Sequence, residues 1–248
     1  MEHMLTKRIL VIIPCYNEAK RLPVDRFSEF IKNSETVDFL FVDDGSTDGT
    51  AAMLEKLCAT SDRFSFLLLK ENQGKAGAIR QGVLQVKNKT LYEYVGYFDA
   101  DLATPLSEIP YFISEIEKRN PMPLFVMGSR VARMGATIDR KAHRHYLGRV
   151  FATFVSNVLK LPVYDTQCGA KLIHHSIVFD LFQEPLLTKW LFDVELIARM
   201  EKQLGLEKTG TSLLEIPLNS WQEVGGSKLK FTDFLKAPWE LIKIWRTL

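Results

Sequence analysis

Two aspartates one residue apart, Asp99 and Asp101, are the residues of this sequence best suited to chemistry. They end an uncharged, aromatic-rich run over residues 94–98, which has the length of a buried strand. In a regular strand the two carboxylates would share a face, and such close like charges repel unless a cation lies between them. Hard divalent cations prefer carboxylate oxygen. The pattern predicts a Mg²⁺ or Mn²⁺ site that also holds a diphosphate, whereas an isolated Asp-x-Asp is also compatible with a solvated, capped strand end.

A second segment with chemical potential is the run NQGKAGAIR over residues 72–80. It places Lys75 and two glycines at the start of a predicted helix. Free backbone N–H groups and the helix dipole favour an anion at such a position. The spacing is not that of a Walker A motif, and no Ser or Thr follows the lysine. The segment is therefore interpreted as a phosphate-binding turn.

Polar residues also follow the first two predicted strands. Pro14 is expected to end sheet pairing, and Tyr16 and Glu18 then supply an aromatic face and hydrogen-bonding groups. After the second strand, Asp43 and Asp44 are suited to accept hydrogen bonds from a nucleobase or a ribose, as acidic residues at such edges do. Asp48 is interpreted as a cap for the next helix.

The elements that must position these residues alternate along the chain. Strands are predicted at 8–14, 37–43, 64–69, 92–98, 124–128 and 212–217. Helices are predicted at 25–34, 48–59, 75–87, 141–159 and 191–204. Alternation of this kind predicts an α/β fold, in which a mostly parallel sheet has helices on both faces. Ligands in such sheets bind beyond the carboxyl ends of the strands, where the residues named above lie.

Composition narrows the class of protein. A chain of 248 residues is long enough to bury a sizeable core, and a formal net charge of +2 argues against a nucleic-acid partner. Three cysteines cannot all pair within the chain, which fits a reducing compartment. No signal-peptide core follows the N-terminus, and no apolar run approaches the ~20 residues that span a bilayer. The expected location is cytoplasmic, with peripheral attachment at the cytoplasmic membrane face left open.

The ordered motifs IPCYNE, VDDGSTDGT, NQGKAGAIRQG and DAD resemble glycosyltransferase family 2, the inverting family with the GT-A (Rossmann-like) fold. The later motifs GSR, DTQCGAKL, WLFDVEL and GGSKL resemble its dolichyl-phosphate glucosyltransferase branch, which is close to the polyprenyl-phosphate mannose synthases. The resemblance extends over residues 9–229. It implies one GT-A domain over residues 1–248, with 231–248 as a C-terminal amphipathic helix.

The resemblance also assigns roles to residues. It implies that the nucleotide-sugar is held by a set of loop residues, namely Pro14, Tyr16, Glu18, Asp43, Asp44 and Asp99. It implies that Asp101 binds the metal that bridges the diphosphate. Related mannose synthases carry a further metal-binding Gln where this chain has Ala103, and Leu102 stands where the glucosyltransferase branch usually has Gly. The third protein ligand of the metal is therefore left open, and water or substrate phosphate is able to complete the shell.

Arginines after the fifth predicted strand form the candidate acceptor site. Guanidinium groups suit bidentate phosphate recognition, and Arg140 and Arg144 are four residues apart, on one helical face. Arg130 and Arg144 match positions of the family that the chain resembles, and the resemblance implies that the phosphate they hold, together with Arg140, is that of a polyprenyl phosphate. Arg149 is interpreted as a solvated charge.

Asp193 occupies the position where relatives with hydroxyl acceptors keep a general base. A phosphate monoester has a second pKa of about 6 and is already a nucleophile at neutral pH. Asp193 is therefore expected to orient a cation, either an arginine or Lys228, rather than to remove a proton.

The segment 231–248 places apolar and aromatic residues at helical intervals with basic residues between them. Such a helix lies in a membrane interface or packs on the protein. Both interpretations remain open from the sequence.

Taken with these features, the resemblance implies a metal-dependent inverting enzyme that transfers a hexose, most simply glucose from UDP-glucose, to a polyprenyl phosphate. Transfer to a saccharide or protein hydroxyl is the alternative enzyme function. A sugar-nucleotide binding protein without turnover is the alternative from another class.

Overall fold

The computed structural model describes residues 8–89, 91–139, 142–224 and 231–246, with the side chains of 142–145, 147 and 231–236 outside the description. Its strands are β1 (Arg8–Cys15), β2 (Val37–Asp43), β3 (Phe64–Leu68), β4 (Tyr92–Phe98), β5 (Phe125–Ser129), β6 (Thr137–Asp139), β7 (Ala170–His174), β8 (Leu213–Pro217) and β9 (Ser220–Gln222). Its helices are α1 (Val24–Lys32), α2 (Thr50–Cys58), α3 (Gly74–Gln85), α4 (Glu108–Glu117), α5 (Ala142–Leu159), α6 (His175–Gln183), α7 (Phe192–Leu204), α8 (Leu206–Ser212) and α9 (Phe231–Trp245).

Seven strands form the central sheet, in the order β3-β2-β1-β4-β7-β5-β8. The pairs from β3 to β4 are parallel, as is the pair β5–β8, whereas β7 runs antiparallel to both β4 and β5. A small parallel pair, β6–β9, lies outside this sheet. The predicted α/β architecture with a mostly parallel sheet is confirmed, although the sequence pattern did not indicate α4, β7 or α6.

The two faces of the sheet have separate hydrophobic cores because strand side chains alternate. On β1, Leu10 and Ile12 pack into the core beneath α3, α6 and α7, while Ile9, Val11 and Ile13 pack into the core beneath α1, α2 and α4. All five side chains are buried. Helices therefore cover both faces, and the polar residues of the chain are left at the strand ends.

Strand β7 is the main departure from the predicted structure. The sequence pattern predicts no strand at the DTQCGAKL motif, but Lys171 of that motif lies within β7 and is fully buried. The five-residue strand, AKLIH, has a lysine in second place and a histidine at its end, so it gave no continuous hydrophobic signal. Because β7 runs antiparallel, its first residues lie at the edge where β4 ends, with Phe98 paired to Ala170 and the Asp99 amide bonded to the Gly169 carbonyl at 3.0 Å.

The prediction that Pro14 ends sheet pairing is wrong on one side of β1. Pairing with β2 continues through Pro14 to Cys15, which lies opposite Asp43, whereas pairing with β4 ends at Ile12. A proline lacks only its own N–H, so its carbonyl and the next residue still continue a parallel ladder.

Gly96 offers a test of how tightly β4 and β7 are packed. A Cβ at this position would lie 1.9 Å from the Lys171 backbone carbonyl oxygen, which a rotamer change cannot relieve. We expect Gly96→Ala to destabilise the protein by about 2 kcal/mol or more, as overpacked cores do. Urea unfolding measures this loss. Gly49→Ala is the control, since its Cβ would meet only the Ala19 Cβ at 3.7 Å; equal stability of both variants would contradict the prediction.

Candidate functional site

The loops after β1 and β2 are joined into one surface at the carboxyl edge of the sheet. The Asn17 amide donates to the Ser46 hydroxyl at 2.9 Å, and the Thr47 amide donates to Asn17 Oδ1 at 2.9 Å. Asn17 adopts a φ of 53°, a left-handed conformation that Asn tolerates better than most residues. The half-buried Pro14 and Tyr16 lie directly before this junction.

Asp43 and Asp44, both buried, lie in this surface and are held by backbone groups. The Asp44 carboxylate accepts hydrogen bonds from the Gln73 amide at 2.7 Å and the Gly74 amide at 2.8 Å. Burial raises the pKa of Asp44, while these two amides oppose the rise. Asp43 accepts from the Ser46 amide and hydroxyl. Asp44 therefore fixes the first turn of α3 against the end of β2.

Lys75, in that first turn, reaches the aspartate pair. Its Nζ lies 2.5 Å from Asp99 Oδ1, and both side chains are 37% exposed. Burial lowers the pKa of Lys75, but the charges of Asp99, Asp193 and Asp101 outweigh it and raise the pKa overall. Gly169 makes room for the carboxylate, because a Cβ there would lie 1.9 Å from Asp99 Oδ2. The structure thus brings the predicted phosphate-binding turn to the predicted metal site.

Asp101 lies in a tight turn after β4. Its Oδ1 accepts a hydrogen bond from the Ala103 amide at 3.1 Å, and the Leu102 amide donates to the Asp99 carbonyl at 3.1 Å. Leu102 has a φ of 50°, the conformation for which glycine is suited, and its buried side chain packs in the hydrophobic core. Burial and then the charge of Asp99 raise the pKa of Asp101.

Arg21 is a site residue that the sequence analysis missed. Its guanidinium lies 3.6 Å from Glu18 Oε2 and 3.9 Å from Asp101 Oδ2. Glu18 is itself buried, and its amide donates to the Thr50 hydroxyl at 2.8 Å. The available signal was a basic residue three positions after the glutamate of the first loop. Arg21 and Lys75 together place two cations beside the aspartate pair.

Asp193 is held within a buried polar cluster. Its Oδ1 lies 2.7 Å from Lys171 Nζ and accepts the Tyr97 hydroxyl at 2.5 Å. Lys171 also donates to the Cys168 carbonyl at 2.6 Å. Burial and the charge of Asp193 raise the pKa of Tyr97 well above its ordinary value, so the phenol remains a donor. The cation that contacts Asp193 is Lys171, and the candidate partner Lys228 lies outside the described residues.

Arg130 follows β5 and forms a bidentate ion pair with Asp165. Arg130 Nε and Nη2 lie 2.6 Å and 2.8 Å from the two carboxylate oxygens, and the guanidinium lies over Trp221 at 5.4 Å. Glu215 on β8 accepts the Asp165 amide at 2.6 Å and so holds the loop that carries the ion pair. Burial lowers the pKa of Arg130, but the charge of Asp165, and to a lesser extent that of Asp99, raises it. Arg130 is thus fixed at the same edge as the aspartate pair.

The structure describes Arg140, Arg144 and Arg149 to different extents. Arg140 lies outside the described residues, and Arg144 lies in the first turns of α5 with its side chain outside the description. Arg149, interpreted from the sequence as solvated, instead packs over the Tyr164 ring at 3.6 Å and donates to the Tyr164 carbonyl at 3.2 Å. These contacts connect α5 to the residue that precedes Asp165.

The Lys171–Asp193 pair yields a stability test. Lys171→Met leaves a buried carboxylate without its cation, which costs about 3–5 kcal/mol in unfolding free energy. Adding Asp193→Asn removes that buried charge, so we expect the double variant to be more stable than Lys171→Met alone in urea unfolding. Lys118→Met, which breaks an exposed pair with Glu115, is the control and is expected to leave the free energy of unfolding nearly unchanged. A double variant no more stable than the single one would refute this description.

Known proteins resemble both the sequence and the fold. The family model for glycosyl transferase family 2 matches residues 10–182. The chain is 33% identical to a dolichyl-phosphate beta-glucosyltransferase of Saccharomyces cerevisiae, with 94% of this chain and 73% of that protein covered. It is 32% identical to the Homo sapiens protein of the same name, with 96% and 75% covered.

The fold matches that of glucosyl-3-phosphoglycerate synthase from Mycobacterium tuberculosis in complex with UDP. The TM-score is 0.68 at 16% identity, and 97% of this chain and 81% of that chain are covered. This likeness confirms the predicted GT-A fold. With the family match over most of the chain, it leads to one conclusion: the protein belongs to glycosyltransferase family 2 and is a glycosyltransferase.

Proposed function

We propose that this glycosyltransferase uses a divalent metal to transfer glucose, with inversion, from UDP-glucose to a polyprenyl phosphate. The observation that carries the proposal is the turn of Asp99 and Asp101 beside Lys75, at the edge where the loops after β1 and β2 converge. The names of the curated relatives support the glucose and the polyprenyl phosphate. A structural neighbour in complex with Mn²⁺ and UDP-glucose supports the donor and the metal.

The residues at this edge fit a Mg²⁺ or Mn²⁺ ion. Both carboxylates are partly exposed. Burial and the charge of Asp99 make the ionised form of Asp101 less favourable and so raise its pKa. Hard divalent cations relieve that repulsion and prefer such oxygens. Among the described residues, no group of three or more His, Cys, Asp or Glu side chains is placed to hold a metal. Asp101, with diphosphate and water oxygens, is therefore the proposed ligand set; when bound, the ion supplies positive charge to the leaving diphosphate.

The protein's own residues prepare the transfer. Lys75 keeps its proton, because nearby carboxylates raise its pKa, and so offers a cation to the departing diphosphate. The first loop, with Pro14, Tyr16 and Glu18, and the Asp43–Asp44 turn are the proposed nucleotide contacts. The acceptor phosphate oxygen attacks the anomeric carbon from the face opposite the leaving group, which inverts the configuration. Asp99 is proposed to orient the sugar between them.

A phosphate acceptor also agrees with the state of Asp193. Its carboxylate is buried and already engaged by Lys171 and Tyr97, which suits a group that positions its neighbours. A phosphate monoester needs no base at neutral pH, because its second pKa is about 6. A saccharide or protein hydroxyl acceptor would instead need Asp193 to take a proton. The two acceptor classes are therefore separated by how strongly Asp193→Asn reduces transfer.

The proposed acceptor site consists of Arg130, Arg140 and Arg144. Arg130 already pairs with Asp165, so we propose that it presents its remaining N–H groups to the phosphate while Asp165 fixes its plane. A lipid acceptor places the enzyme at a membrane surface, and we propose peripheral attachment at the cytoplasmic face.

Asp101 provides the first functional test. Asp101→Asn keeps the side-chain shape but removes the charge, so we expect transfer to fall by about a hundredfold or more. The readouts are glucose transfer from UDP-glucose and calorimetric binding of UDP-glucose with and without Mn²⁺. Asp25→Asn, in the exposed first turn of α1, is the control. Transfer within a few-fold of the parent at saturating donor and metal would exclude Asp101 as the metal ligand.

Arg144 provides the cleaner test of the acceptor site, since loss of Arg130 also leaves Asp165 without its counter-ion. We expect Arg144→Ala to remove a charge-assisted contact of about 1.5–3 kcal/mol, which is roughly ten- to a hundredfold in acceptor efficiency. Donor affinity is expected to stay unchanged, and Arg26→Ala, which changes an exposed side chain of α1, is the control. The assay uses a short soluble polyprenyl phosphate. Unchanged acceptor kinetics would remove Arg144 from the site, and lost donor affinity would move it to the diphosphate.

A further inference from the structure

Helix α5 exposes an apolar stripe that no step of the proposed reaction uses. Tyr146, Val150 and Phe154 recur every four residues and therefore lie along one side of the helix. Their side chains are between 57% and 70% exposed. The opposite side, with Val155 and Leu159, is fully buried in the core. The helix is thus anchored on one side and apolar on its solvent side as well.

Helix α9 has the same arrangement. Leu241 and Ile244 are buried in the core, while Trp239, Ile242 and Trp245 are between 42% and 62% exposed. The exposed residues are spaced by three, which places them along one side of α9. A helix that is apolar on both sides is normally covered on both sides. Here the described residues cover only one.

The two stripes are continuous. An open groove of about 380 Å³ lies between the helices, lined by Phe154, Asn157, Val158, Leu241, Ile242 and Trp245. We call the six exposed apolar residues of the two helices, Tyr146, Val150, Phe154, Trp239, Ile242 and Trp245, the α5–α9 surface. Contiguous exposed apolar patches of this kind mark sites of interaction with other proteins or with membranes.

The charges around the α5–α9 surface are mostly basic. Helix α5 contains no acidic residue. At the end of α9, Lys243 and Arg246 are exposed, whereas Glu240 is turned inward and accepts the Leu191 amide at 3.1 Å. Tryptophans beside basic residues on an amphipathic helix are typical of segments that lie in the headgroup region of an anionic membrane. A second copy of this chain would bring the same basic charges together.

We propose that the α5–α9 surface rests in the headgroup region of a membrane that contains anionic lipid. This choice of partner rests in part on the proposed lipid acceptor. Tyr146 lies two residues after Arg144, so the contact places the first turn of α5 at the bilayer surface, where a lipid phosphate is presented. No helix among the described residues has the length and hydropathy to cross a membrane, so the proposed contact is along the surface.

Vesicle co-flotation of the full chain, without donor or acceptor, tests the proposal. The wild type is expected to float with vesicles of phosphatidylcholine mixed with phosphatidylglycerol and to float less with phosphatidylcholine alone. Trp239→Ser with Trp245→Ser is expected to reduce partitioning by about tenfold or more, because both exposed rings lose their interfacial contact. Lys243→Glu with Arg246→Glu is expected to reduce binding to the anionic vesicles only.

Matched controls distinguish an effect of the α5–α9 surface from the effect of changing any exposed apolar or charged residue. Leu91→Ser with Leu206→Ser changes two exposed apolar residues outside both helices. Lys32→Glu with Lys56→Glu reverses two charges on α1 and α2, which cover the opposite face of the sheet. Both controls are expected to float like the wild type. Transfer to a short soluble polyprenyl phosphate is expected to stay unchanged in the tryptophan variant, so a failure of the reaction itself is distinguished from a failure of membrane contact.

Three results would overturn the proposal. The first is a wild type that does not float with anionic vesicles, and the second is a tryptophan variant that floats as well as its parent. The third is a wild-type dimer in sedimentation equilibrium that becomes monomeric on loss of the two tryptophans, without vesicle binding, which would assign the surface to a second copy of the chain.

Discussion

The close approach of β7 to β4 is the constraint on which the site depends. Gly96 and Gly169 have no side chains at the two points where a Cβ would come within 2 Å of a backbone or carboxylate oxygen. This contact carries the β7 backbone directly beneath Asp99, whose amide donates to the Gly169 carbonyl. It also brings Lys171 into the sheet under the site. Because β7 runs antiparallel to β4 and β5, it begins at the edge of the sheet where those strands end. Its first residues therefore lie at the site.

Charge balance is the second organising feature. Each of the three aspartates proposed to take part in the reaction lies beside a cation from a different element: Asp99 beside Lys75, Asp101 beside Arg21, and Asp193 beside Lys171. The first two pairs are partly exposed, so a ligand and its counter-ion are able to replace the contacts within them. The third is buried and is expensive to break. In the proposed reaction, this difference separates Asp99 and Asp101, which are proposed to meet the donor and its metal, from Asp193, which is proposed to position its neighbours.

The proposed acceptor site is supported by a series of contacts from several elements. Glu215 on β8 holds the backbone of Asp165, Asp165 holds the plane of Arg130, and Trp221 lies under the guanidinium. Such a support fixes an arginine at little entropic cost on binding, because its rotamer is already chosen. Helix α5 continues from this side, with an apolar stripe that fits a lipid surface. The two halves of the proposed reaction therefore use different scaffolding: loops at strand ends for the donor, and a helix for the acceptor.

The sequence by itself determined the alternation of elements, and therefore the sheet and the edge at which the polar loops gather. It did so because hydrophobic periodicity and loop chemistry are local properties. Only the tertiary structure decided that Lys171 lies in a strand, that Arg21 reaches Asp101, and that Asp193 is bound by Lys171 and Tyr97. These contacts join residues far apart in the chain, or depend on one buried charge that breaks a short apolar run. Local patterns carry no information about such pairings, because the partner is chosen by the register of strands and the packing of helices.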